Sequence, residues 1–337
     1  MTRARTTLLV AVLCLCLGVA GGYVVLQRRA AATPAPTAAA QLPADAGALL
    51  TAPRIVFRDT TPGASYSMVA VAALADPSGP RADLAVRCER VYAVARSGVC
   101  LRARRSLAPS YELAALDAKL LPRSSTPLPG PPSRARLSAD GTLVATTVFL
   151  TGHSYAQATF STETVIRRDG RSLGNLETWT TRLPDGSVLT GADRNYWGVT
   201  FAEDDDTFFA TAAAGSTTWL VRGSLRNRTM SALQTNAECP SLSPDGTRVA
   251  YKKRLDARPG VWRLAVLDLA TRHETLLAET RSVDDQVEWL DDARMLYALP
   301  RTDSATGTWD VWVQAADGSG TPTVLIAGAA SPAVVRS

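Results

Sequence analysis

Two histidines are all that the 337 residues offer for imidazole chemistry. His153 stands in Gly152-His153-Ser154-Tyr155, where a serine beside a histidine raises the question of nucleophilic catalysis. On a strand, however, adjacent side chains point to opposite faces, and GHSYA lacks the second glycine of a nucleophile elbow. His273 falls in a turn between two strand-like runs and reads as a solvated turn residue. Neither histidine has an HExxH-type neighbour, so no zinc site is expected. The acidic run Glu203-Asp204-Asp205-Asp206 is not followed by EF-hand spacing and reads as a hairpin tip. Asn195-Tyr196-Trp197-Gly198 is the most unusual polar-aromatic stretch. With His153 and Tyr155, the residues Asn195, Tyr196 and Trp197 form the candidate binding surface, the alternative being that Trp197 packs between structural units. No catalytic residue, cofactor or metal ligand is assigned.

Of the five cysteines, Cys14 and Cys16 lie in an apolar N-terminal run and three lie in the body. Cys88 and Cys100 flank one hairpin and are the natural disulfide pair, leaving Cys239 free and buried. If Arg96-Ser97 is the turn, Cys100 faces Ala93, so the bond needs a bulge or an offset entry.

The elements that position these residues follow from a repeat. In Glu238–Arg254, ECPSLSPDGTRVAYKKR, a Ser-Pro-Asp-Gly turn separates two short runs, and the second alternates polar and apolar as a half-buried strand does. Degraded copies occur at 136–145, 199–210 and 287–298, and a weaker one at 90–101. Anchored on Leu137, Phe201, Leu242 and Trp289, the spacings are 64, 41 and 47 residues, and the weaker copy precedes Leu137 by a similar interval. Each copy continues into further strands, giving four antiparallel strands per unit. Such a unit cannot bury both faces alone, and closing units into a ring leaves only short, protected edges. The fold expected is all-β: a β-propeller of four-stranded blades, six in number with seven as the alternative. Blade limits fall near 51–85, 86–128, 129–180, 181–235, 236–282 and 283–337. The 64-residue interval holds Leu183-Pro184-Asp185-Gly186-Ser187-Val188-Leu189, read as an extended hairpin. Closure is expected from Pro332-Ala333-Val334-Val335 pairing in the first blade.

LSPDGTRVAYKK, followed by a strand ending in Asp and a turn, resembles the WD-repeat-like blades of the TolB family. The similarity runs over about 54–337 and implies a six-bladed, extracytoplasmic propeller. TolB carries an α/β domain ahead of its propeller, whereas here a spacer leads directly into the repeats. The partner contacts of TolB are therefore not transferred.

The net charge of +5 suggests nucleic acid only at first sight. Arg3, Arg5, Arg28 and Arg29 account for four of the 36 Lys and Arg, and the remainder nearly balances the 31 Asp and Glu. Nucleic-acid binding is excluded on that ground. Leu8–Leu26 is free of charge and as a helix would span about 29 Å, close to the hydrocarbon core. The reading is a cytoplasmic 1–6, a transmembrane signal-anchor 7–27, an Ala/Pro-rich extended spacer 28–53 and a propeller 54–337. Cleavage near Ala20-Gly21-Gly22, with secretion, is the alternative. The function expected is a non-enzymatic, membrane-tethered scaffold for an envelope protein or surface ligand. The competing reading is an enzyme acting on a glycan or small molecule in the central channel.

Overall fold

The computed structural model describes residue 18 and residues 46–336, apart from 105–107, 153, 156, 158–159, 256–259 and 303–306. Six antiparallel sheets follow one another along the chain. In the first, the last strand β25 (Ala329–Val335) pairs with β1 (Arg54–Asp59), followed by β2 (Met68–Ala73) and β3 (Arg81–Arg87). The second holds β4 (Arg90–Ala93), β5 (Gly98–Arg104), β6 (Ser110–Leu116) and β7 (Pro122–Leu128). The third holds β8 (Pro132–Leu137), β9 (Leu143–Thr151), β10 (Ser161–Arg168) and β11 (Arg171–Asn175). In the fourth, β13 (Asn195–Phe201), β14 (Thr207–Ala214), β15 (Thr217–Ser224) and β16 (Thr229–Thr235) are joined by a parallel fifth strand, β12 (Thr180–Arg182). The fifth holds β17 (Ala237–Leu242), β18 (Arg248–Arg254), β19 (Trp262–Asp268) and β20 (Glu274–Leu276). The sixth holds β21 (Glu288–Trp289), β22 (Arg294–Pro300), β23 (Trp309–Ala315) and β24 (Thr323–Ile326).

The strands β25, β4, β8, β13, β17 and β21 contact one another in that cyclic order. They are the inner strands of a six-bladed propeller and surround its channel. Val334 lies opposite Ile55 and Val335 opposite Arg54, so the C-terminal strand closes the ring within the first blade. The core lies between blades. Val199, Tyr196 and Phe208 of the fourth blade pack with Leu143 and Ile166 of the third, for example.

The Ser-Pro-Asp-Gly turn explains itself locally. Gly246 has φ of 70° and its N–H bonds Ser243 O at 2.9 Å, the left-handed corner that glycine takes without steric cost. The Asp245 carboxylate accepts from Ser243 Oγ at 2.6 Å and Thr247 N at 3.0 Å. Asp140 holds the turn of the third blade through Ser138 and Thr142 in the same manner. The 64-residue interval includes the added strand β12 and the hairpin behind it, where Arg182 bridges Val188.

Two local readings change. Residues 46–51, the end of the stretch read as an extended spacer, form a short helix, α1 (Ala46–Thr51). Its Ala46 and Leu50 are buried against Val69, Val71 and Leu84 of the first blade. The β4–β5 turn is centred one residue earlier than Arg96-Ser97, with Val94 N bonded to Ser97 O. Val91 rather than Ala93 therefore faces Cys100. Cys88 and Cys100 form a disulfide with Cα atoms 5.4 Å apart, and Cys239 is free and buried. The segment 7–27 lies outside the described residues except for residue 18. No helix among the described residues is long and apolar enough to cross a membrane.

Candidate functional site

The channel differs at its two ends. Where the inner strands begin, Arg134 of the third blade reaches Asp284, just ahead of the sixth blade's inner strand, across it at 3.2 Å. Tyr155 stacks on Trp197 with ring centroids 5.2 Å apart, and Phe149 and Phe160 complete the cluster. Trp197 is 1% exposed, Tyr196 1% and Tyr155 2%. These three residues are buried packing between the third, fourth and fifth blades, which for Trp197 is the alternative the sequence left open and for Tyr155 and Tyr196 replaces the surface it suggested. The reason is the bulge in β13: Gly198, with φ of 66°, lies so close to the fifth blade that a Cβ there would meet Cys239 Cα at 2.6 Å. That approach turns Trp197 inward. Tyr196 shares a hydrogen bond with Thr181 Oγ at 2.7 Å, which anchors β12. Asn195 accepts from Thr162 N at 2.9 Å and donates to Asp193 O at 3.1 Å, a clamp between the third and fourth blades. His153 lies outside the described residues.

Charge at this end is internally matched. Lys252 has no exposed surface; its Nζ lies 2.8 Å from Asp284 and 3.9 Å from both Glu238 and the centre of the Trp262 ring. Arg134 donates to Asp284 at 3.2 Å, and Arg254 pairs with Glu238 at 2.8 Å. Burial alone would push the Asp284 carboxyl up, but Lys252 and Arg134 outweigh it and hold it down to about 2. It stays ionised and is not poised as a general acid.

Where the inner strands finish, the channel opens into a cavity of about 700 Å³, large enough for a ligand or a short peptide segment. Its lining follows the repeat. The residues just before the repeat anchors are Arg136, Thr200, Ser241 and Glu288, and all four face this cavity. Tyr92 and Val334 hold the equivalent places on β4 and β25 and also line it. The anchors Leu137, Phe201, Leu242 and Trp289 add apolar wall. In a ring, one position per blade converges on the axis, so sequence-distant residues meet. The floor is a pair: Arg136 donates to Glu288 Oε2 and, at 3.2 Å, to Ser241 Oγ. The Arg136 guanidinium also lies 4.5 Å from the centre of the Tyr92 ring. Burial and the neighbouring Glu288 push the Tyr92 hydroxyl up to about 12, so it stays protonated.

Around the mouth stand the turns that join each inner strand to the next. In the third to fifth blades they carry Asp140, Glu203, Asp204, Asp205 and Asp245, all exposed. For Asp140, Asp204 and Asp245, partial burial would push the carboxyl up. The hydroxyl and backbone N–H donors of their own turns more than offset it, lowering all three, Asp245 to about 2. The rim is therefore a permanent arc of negative charge. Arg336 is a cation on the opposite side, held by Leu290 O. Among the described residues no cluster of three or more His, Cys, Asp or Glu is arranged to hold a metal ion.

The sequence passed over Arg136, Glu288, Ser241 and Tyr92, because each looks unremarkable alone. The readable signal was positional: the residue preceding the apolar anchor in every copy of the repeat.

No protein-family model matches the chain, and no curated protein is similar to it in sequence. Among solved structures, TolB from Acinetobacter baumannii aligns with a TM-score of 0.52 at 15% identity, covering 85% of this chain and 66% of TolB. This chain thus spans just under two thirds of the length of TolB. A chain of a nidogen/laminin complex aligns with a TM-score of 0.51 at 11% identity, covering 84% of this chain and 98% of the other. The likeness is one of fold: the chain is a six-bladed β-propeller similar in fold to TolB.

Proposed function

We propose that the protein is a non-enzymatic β-propeller of the cell envelope that docks a segment of a partner protein in the cavity at the mouth of its channel. The observation that carries this reading is the cavity itself. It is open, about 700 Å³ in volume, and walled by the inner strands of all six blades. Its charged floor is already neutralised, Arg136 against Glu288. The acidic arc at the rim favours a segment bearing a basic residue, with an apolar side chain to meet Phe201, Leu242 and Trp289. Tethering through 7–27 and an extracytoplasmic position rest on the sequence pattern alone.

The test is capture by chemical cross-linking from native membranes with full-length protein. Two folded variants serve as probes, Phe201→Arg in the wall and Glu203→Arg on the rim, and Arg226→Glu, on the exposed turn after β15, as the control. One specific partner, lost in both probes and kept in the control, supports the proposal. Capture that is indifferent to the probes would refute the site. A partner-free protein that instead binds a glycan or metabolite in the cavity would refute protein docking.

A further inference from the structure

The closing strand and the cavity floor share one side chain. β25 pairs with β1 along one edge, while its other edge faces the channel. There the Val334 N–H donates to Glu288 Oε1 at 3.0 Å, a fully buried bond from the first blade to the sixth. The same oxygen accepts from the Tyr92 hydroxyl of the second blade at 3.4 Å. The other carboxylate oxygen takes Arg136 of the third blade, whose remaining terminal nitrogen donates to Val287 O at 2.5 Å and to Ser241 Oγ of the fifth at 3.2 Å. Glu288 is 6% exposed and Arg136 5%, so the attraction acts away from bulk water. The strand has a second hold toward the second blade, where Ser331 Oγ accepts from Val91 N at 3.3 Å and donates to Val91 O at 2.9 Å. That hold lies at the opposite end of β25 and touches nothing in the cavity.

We infer that Glu288 is a latch: it fastens the ring-closing strand from across the channel, and it is kept in place by Arg136, Tyr92 and Ser241 on the wall of the cavity. The firmness of closure is thereby set by the residues an occupant would touch. A partner that competes for Arg136 loosens β25, and one that leaves the pair intact and fills the space around it tightens β25. This consequence rests on the docking reading above, whereas the latch itself does not.

The test is amide hydrogen exchange on the full-length protein without a partner, followed by mass spectrometry. Arg136→Gln leaves every residue of β25 in place and removes the cation that positions Glu288. Exchange over 329–335 should rise by about tenfold or more, the scale of one lost charge-assisted bond. Exchange over 262–268 in the fifth blade should stay within about twofold of the parent. Ser241→Ala, which removes one partner of Arg136 and nothing else, should give a smaller rise confined to the same segment. It serves on its own if Arg136→Gln does not fold. An unchanged 329–335, or a rise spread equally over all six blades, would overturn the latch. Neither result would touch the docking proposal, which is read by cross-linking.

Discussion

The two ends of one channel are built to opposite ends. Where the inner strands begin, Tyr155, Trp197, Phe149 and Phe160 pack between the blades and Lys252, Arg134, Asp284 and Glu238 cancel one another's charge. Where they finish, six equivalent repeat positions surround a cavity and an acidic arc faces outward. The residues with the most conspicuous chemistry are at the solid end and serve stability. The hollow end is lined by residues that are ordinary one by one. In a propeller the address of a residue within its blade says more about function than its type does.

The largest effects should come from the solid end. Lys252→Ala leaves Glu238, which has 1% of its side chain exposed, short of one of its cations, and it opens a hole beneath Trp262. A loss of about 3–5 kcal/mol is expected in denaturant unfolding, the scale for breaking a buried pair. Trp197→Ala should cost a similar amount, about 3–5 kcal/mol, through the cavity it leaves. A loss below about 1 kcal/mol for both would show that the filled end is not what holds blades three to five together. Next comes the disulfide. Replacing Cys88 and Cys100 by alanine reopens a short loop and should cost about 3 kcal/mol.

Acid response probes the buried charge cluster directly. The Asp284 carboxyl is held down to about 2 when folded, below its ordinary 3.8. The stability it contributes is therefore fully present above about pH 4 and is lost as pH falls through the folded value. Stability should drop between about pH 4 and 2, and Asp284→Asn should flatten that part of the profile. An unchanged slope would mean that the Lys252 and Arg134 cluster does not favour the ionised form. The smallest effects belong to the hollow end. Phe201→Ala, at a half-buried wall position, should cost about 1 kcal/mol, and Glu203→Ala less than about 0.5 kcal/mol, while both weaken partner capture. A large stability loss from either would make the mouth structural as well.

Blade number, four-strand order and closure were legible because turn chemistry and period-two alternation are local signals that repeat. Ser138, Ser243 and their aspartates announce a hairpin wherever they stand. Packing of Trp197 between blades was one of two readings the sequence allowed; what decides it, how near Gly198 comes to Cys239, is a contact between blades and was not legible. The pairing of Cys100 with Val91 was missed because shifting a two-residue turn by one changes every partner along the strand. The Arg136–Glu288 floor joins residues 152 positions apart, and only the ring geometry brings them together.

The most direct measurement places a photo-cross-linking amino acid at one of two sites in the full-length protein in its native membranes. One is position 201 on the cavity wall, and the other is position 150, an exposed leucine at the end of β9 near the filled end. One partner should be captured from position 201, with the cross-link mapping to a segment that carries a basic residue, and nothing specific from position 150. A specific partner captured from position 150 and none from position 201 would contradict it, placing the working face of this propeller at its solid end.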